Sequence, residues 1–138
     1  MRDQRRIRAG GHEAIKGRRI REFWRVRGTV FAQAPTIKRL REQKQRPVKP
    51  FALLYPSMER LETELSPSSL ETAELLSPEH PIVLLSTHRY TGDVCLKEVA
   101  PGLDQLGVML PYSGVLALLA SAFPKPIIAT SGNRHGSP

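Results

Sequence analysis

At 138 residues, with 40% apolar residues, 6% aromatic and twelve prolines, the chain is long enough for one domain and too short for two that each bury a core. A single cysteine, Cys95, excludes a disulfide framework and a cysteine-rich zinc site, and no apolar run nears the roughly 20 residues of a membrane span, so a soluble, cytoplasmic protein is expected. The net charge of +8 is uneven: residues 1–50 hold sixteen Lys/Arg against four Asp/Glu, or +12, and residues 51–138 hold five against nine, or −4, so the basic end should attract phosphate, whether of nucleotide or nucleic acid.

Residues 1–35 scatter Ile7, Ile15, Ile20, Phe23, Trp24 and Val26 among arginines with no sustained period, which predicts a basic, poorly ordered segment. Thr36 is a candidate cap for a helix to about Gln45, with Ile37, Leu40 and the stem of Arg41 on one face and Pro47 ending it. Phe51 to Tyr55 predicts a buried strand. Ser57 then caps a helix carrying Met58, Leu61 and Leu65, and Ser68 with Glu71 three residues on forms a capping-box pattern opening a second helix that presents Leu70, Ala73 and Leu76.

Pro81 to Leu85 predicts a strand buried on both faces, and Gly107 to Leu110 predicts another. Tyr112 to Phe123 predicts a helix apolar over most of its surface, and Pro126 to Ala129 a last buried strand. The order of strands and helices predicts an α/β fold, in which ligands sit at strand ends and in the loops leaving them. Cys95 reads as a small core residue, His80 and His88 do not group as metal ligands, and His135 reads as a replaced small residue, not a base.

Two places concentrate polar chemistry. Lys44-Gln-Arg46-Pro-Val-Lys49-Pro50 sets three cations just before a buried strand, with two prolines holding the backbone extended. Lysine supplies a point charge and arginine a planar fork, a mixture suited to a polyphosphate; a solvated basic loop is the alternative. The other place is the end of the last strand, where Thr130 leads into Ser131-Gly132-Asn133, whose hydroxyl and amide groups can donate to phosphate oxygens. By itself that corner is also a common turn.

In this order the blocks LREQKQRPVKPFALL, SPEHPIVLL, VAPGLDQLGVMLPYSGVLALL and PIIATSGN resemble the YrdC-like domain, in the version found in the HypF carbamoyltransferase family of [NiFe]-hydrogenase maturation. The stretch GVMLPY stands where the branch that makes threonylcarbamoyl adenylate carries an arginine strand and a Pro-Asp-His. The resemblance implies an open, twisted mixed sheet with flanking helices, incomplete in this chain. It implies ATP and Mg²⁺ as cofactors, with Lys44, Arg46, Lys49, Ser131 and Asn133 holding ATP and its phosphates, Thr130 and Lys16 as additional substrate-binding residues, and no side-chain nucleophile. The implied reaction joins carbamate, derived from carbamoyl phosphate, to AMP. HypF proteins are several times longer, and they pass the carbamoyl group to a HypE-type maturation protein through domains with no counterpart here.

Lys16 lies in Ala14-Ile-Lys16-Gly17, which is similar to a lysine-glycine strand end of the family. RRIREFWRVRGTVFAQAP then departs from the pattern until Ile37, as a shifted reading frame or a rearranged gene would produce. The expected division is therefore a divergent segment, 1–35, and a partial YrdC-like domain, 36–138, weak or inactive as an isolated enzyme. Two other readings stand beside it: a module binding double-stranded RNA or tRNA, or a relative of threonylcarbamoyl-AMP synthase; and an inactive gene fragment.

Overall fold

A computed structural model describes residues 34–130; Lys16, Ser131, Asn133 and residues 1–33 of the segment expected to be poorly ordered lie outside them, while Ala34 and Pro35 of that segment are helical. Helix α1, Ala34–Lys44, buries Ile37, Leu40 and Arg41 on one face, as the spacing predicts, but begins ahead of the expected Thr36 cap. Gln45 ends it in the left-handed conformation at φ 49°, two residues before Pro47. The chain then runs extended into β1, Ala52–Leu54.

Ser57 Oγ accepts the Arg60 amide at 3.2 Å and starts α2, Met58–Leu65, which ends at left-handed Ser66. The capping box opens α3, Ser69–Leu75: Ser68 Oγ accepts the Glu71 amide at 3.3 Å while Glu71 Oε2 accepts the Ser68 amide at 2.7 Å. The predicted apolar face of α3 is wrong. Leu70 is 81% and Leu76 60% exposed, Ala73 is also exposed, and Leu75 is the buried anchor. The helix meets the core along the narrow edge that carries Glu71, Thr72 and Leu75.

Strand β2, Val83–Ser86, helix α4, Leu96–Val99, and strand β3, Gln105–Met109, follow. Helix α5, Gly114–Ala122, is capped by Ser113, whose Oγ accepts the Leu116 amide, and leads to β4, Ile127–Ala129. The four strands form one open mixed sheet in the order β2-β3-β1-β4, with β1 parallel to β3 and antiparallel to β4.

Alternation along β1 divides the apolar residues between the two faces. Leu53 joins Leu61, Leu65, Leu85, Leu106, Val108 and Ile128 in the main core under the helices, while Leu54 and Ile127 face α5 through Leu116 and Leu119. The strand expected to be buried on both faces is an edge among the described residues. Leu85 of β2 is buried, but Ile82 and Leu84 are more than half exposed, because α5 packs over the β1 and β4 end of that face. Gly107 permits this edge to close: a Cβ there would lie 3.1 Å from Ile82 Cγ2. The same one-sided packing leaves Val115 and Leu118 of α5 exposed.

Candidate anion-binding site

The basic loop is built on a buried arginine. Arg41 ends the core-facing stripe of α1, and its guanidinium donates to four backbone carbonyls. Nη1 reaches Arg46 O at 2.8 Å and Lys49 O at 2.7 Å, Nε and Nη2 share Glu98 O, and Nη2 also reaches Val99 O at 3.1 Å. The Arg41 carbonyl accepts the Arg46 amide at 3.0 Å, and Val99 O accepts the Phe51 amide at 2.9 Å, so the loop is tied at both ends. Burial lowers the pKa of Arg41 while Glu98 opposes that shift; a guanidinium keeps its charge throughout.

Phe51 supplies the floor of this region. The Arg41 guanidinium carbon sits 4.6 Å from its ring centroid and that of Arg46 5.5 Å away, both within cation–π range. Arg46 thus folds over the ring, with Nη2 3.4 Å from Pro50 O, instead of extending outward. Lys49 is exposed and Lys44 half-buried.

The β1–β4 register joins the loop to the second predicted place. Ala52 pairs with Ala129, so Phe51 and Thr130 leave the sheet at the same end, one from each strand. Thr130 Oγ1 and Arg46 Nε are shielded from solvent and have no hydrogen-bond partner among the described residues. Two orphaned polar groups at the strand end that carries the cations are what an anion's oxygens would satisfy. No carboxylate lies within residues 44–50. The donor set therefore fits a polyphosphate. Among the described residues no group of three or more His, Cys, Asp or Glu could hold a metal ion.

A cleft of about 420 Å³ lies at the opposite end of β1, lined by Ser57, Glu59, Arg60, Thr63, Glu64 and Thr91. Sequence reasoning missed the polar cluster beneath it, whose only local signal is the i,i+4 spacing of Arg60 and Glu64. Buried Glu64 accepts Tyr55 Oη at 2.9 Å and Arg60 Nε at 2.6 Å, and Arg60 Nη1 donates to Pro124 O at 2.7 Å. Tyr90 Oη accepts the Val94 amide at 2.9 Å. These contacts tie α2 to the segment entering β4, a framework role; the basic loop has the chemistry for a ligand. Cys95 is half-buried against the main core, as expected of a small core residue.

Residues 28–138 match the Sua5/YciO/YrdC family, whose description reads telomere recombination. The match begins upstream of Ile37, where the sequence pattern resumes. A carbamoyltransferase HypF of Rhodobacter capsulatus is 37% identical over 133 residues, covering 96% of this chain and 17% of that protein. A carbamoyltransferase HypF of Synechocystis sp. is 37% identical over 100 residues, covering 72% of this chain and 13% of that protein. The crystal structure of full-length HypF in its phosphate- and nucleotide-bound form has a TM-score of 0.69 at 37% identity, over 78% of this chain and 14% of that one. Sua5 of P. abyssi, complexed with L-threonine, has a TM-score of 0.63 at 26% identity over 78% of this chain and 32% of that one. The chain therefore spans less than a fifth of the length of the curated relatives named here.

Proposed function

The chain belongs to the Sua5/YciO/YrdC family and is homologous to the HypF carbamoyltransferases, and from that premise we propose that its basic loop and the end of β4 hold ATP for carbamoyl adenylation. The observation that carries this reading is the Ala52–Ala129 pairing, which sets the Lys44–Pro50 loop beside the strand that runs into Ser131 and Asn133. A HypF protein has been crystallised with phosphate and nucleotide bound, which agrees with it. The Sua5 likeness is lower in both identity and TM-score, so threonylcarbamoyl chemistry is not favoured.

In the proposed reaction a carbamate oxygen attacks the α-phosphorus of ATP; the new P–O bond forms as the bond to pyrophosphate breaks, and pyrophosphate leaves with its electron pair. Lys44, Arg46 and Lys49 would offset charge on the phosphate oxygens, and Ser131, Asn133 and Thr130 would donate hydrogen bonds to the nucleotide. Lys16 is a further candidate for the carbamate. The work of the protein is positioning and electrostatics. Mg²⁺, when bound with the nucleotide, would neutralise part of its charge. Transfer of the carbamoyl group to a HypE-type partner would need regions of the relatives outside this chain.

The test is pyrophosphate release from ATP with carbamate or carbamoyl phosphate, with Mg·ATP binding measured beside it. Wild type should bind Mg·ATP at least roughly tenfold more tightly than the Lys44→Ala, Arg46→Ala double variant, since two charge-assisted contacts are lost. Equal binding rejects the site. Binding without release above the double variant leaves a nucleotide-binding module with no catalysis of its own. The +12 balance of residues 1–50 favours one further reading, attraction to a nucleic-acid backbone, and a steep, sequence-indifferent loss of RNA binding with salt would support it.

A further inference from the structure

Among the described residues the Arg41 guanidinium donates its hydrogen bonds to backbone carbonyls and lies against the Phe51 ring, and none of the phosphate-binding roles proposed above uses it. Its four acceptors come from two parts of the chain: Arg46 O and Lys49 O from the basic loop, and Glu98 O and Val99 O from the last two residues of α4. A loop that binds an anion has a specific difficulty: each peptide unit exposes a carbonyl oxygen as readily as an amide, and a carbonyl oxygen repels phosphate. Proline makes this worse, because Pro47 and Pro50 have carbonyls but no N–H groups to offer.

We propose that Arg41 is a positioning residue that turns the carbonyls of Arg46 and Lys49 inward onto its buried guanidinium, so that the loop presents cations instead of oxygens to the anion. The proposal rests on the anion-loop reading and assigns it a device. A planar fork of five N–H donors serves several carbonyls at once, as seen here; an ammonium with three tetrahedral donors cannot satisfy the same four oxygens in this geometry. The guanidinium carbon also lies over the neighbouring Phe51 ring, a cation–π contact that leaves the N–H groups to the carbonyls. Lys38, 3.8 Å from the Glu98 carboxylate, is the exposed cation beside this buried one and leaves the carbonyl of the same residue to Arg41.

The experiment compares the full chain with Arg41→Lys and, as a control for stability alone, Leu75→Ala, which lies in α3 away from the loop. Two quantities are read: affinity for Mg·ATP and for pyrophosphate by calorimetry, and hydrogen exchange at the Phe51 and Arg46 amides without ligand. Arg41→Lys should weaken binding roughly tenfold or more and speed exchange at both amides. Leu75→Ala should leave affinity unchanged. Wild-type affinity and exchange in Arg41→Lys would overturn the proposal, as would an equal loss of affinity in Leu75→Ala.

If wild type binds neither polyphosphate, the nucleotide reading fails, and the exchange rates alone decide whether Arg41 anchors the loop. Should Arg41→Lys fail to fold, the wild-type guanidinium decides by NMR. Its Nε–H must be protected from solvent exchange both with and without pyrophosphate, and exchange as fast as in an exposed arginine would reject the role.

Discussion

Tyr55 and Tyr90 show how single residues set the pH range of the fold. Burial raises the Tyr90 hydroxyl to about 12 from an ordinary 10.0, against the opposing bond from the Val94 amide, and burial with the Glu64 hydrogen bond drives Tyr55 well above the usual tyrosine range. A raised pKa means that the folded chain retains a phenol proton that the unfolded chain releases near pH 10. Their contribution to stability is therefore complete below about pH 10 and is lost as pH rises through about 12. Urea midpoints stepped across that window should fall, and Tyr90→Phe should fall less steeply; midpoints that stay level would contradict the account. Asp93 works in the other direction. Its hydrogen bond from Lys125 at 2.8 Å lowers its pKa, so that contribution holds above the unfolded value of 3.8 and fades as acid protonates the carboxylate.

Among the elements, α3 is the clearest case of a start visible in the sequence and an orientation that was not. Its capping box is a local exchange of two hydrogen bonds and is read from Ser68 and Glu71 alone. Which stripe faces inward depends on the sheet beneath, and the apolar trio Leu70, Ala73 and Leu76 pointed the wrong way. Leu75→Ala should lower the unfolding free energy by about 2–3 kcal/mol, the usual cost of emptying a buried leucine site, and Leu70→Ala should change it by less than about 0.5 kcal/mol. Denaturant titration checks both, and equal losses would mean that the helix is rotated. Strand β2 repeats the lesson. Its apolar run is genuine, but burial on two faces needs a covering layer on each, and nothing in residues 81–85 states whether that layer exists.

At the scale of the molecule, the described residues pack the sheet heavily on the Leu53 side and lightly on the Leu54 side. Exposed Ile82 and Leu84 on an edge strand invite pairing between chains. A double Ile82→Thr, Leu84→Thr variant should reduce the aggregated fraction in light scattering while moving the thermal midpoint little; unchanged aggregation would place the sticky surface elsewhere. The strands near 51–55, 107–110 and 126–129 and the cluster of three cations with two prolines in residues 44–50 were legible because both are short local runs, whereas the mixed order of the sheet was implied by the family resemblance. The closeness of that loop to Thr130 was not written locally. It follows from an antiparallel pairing across 77 positions of sequence, Ala52 to Ala129. The role of Arg41 was hidden for the same reason, since an arginine on a helix announces its charge but not the carbonyls it gathers.

The contacts of Arg41 with main-chain oxygens also shape how this region can change by descent. Side chains at positions 46, 49, 98 and 99 can drift without breaking those bonds, because every residue type supplies the same oxygen. An inserted or deleted residue between 41 and 49 breaks them at once. Among relatives the constraint would register as one fixed arginine and a fixed loop length, with no compensating pairs of substitutions, so a search for co-varying positions would pass over the junction between this loop and α4.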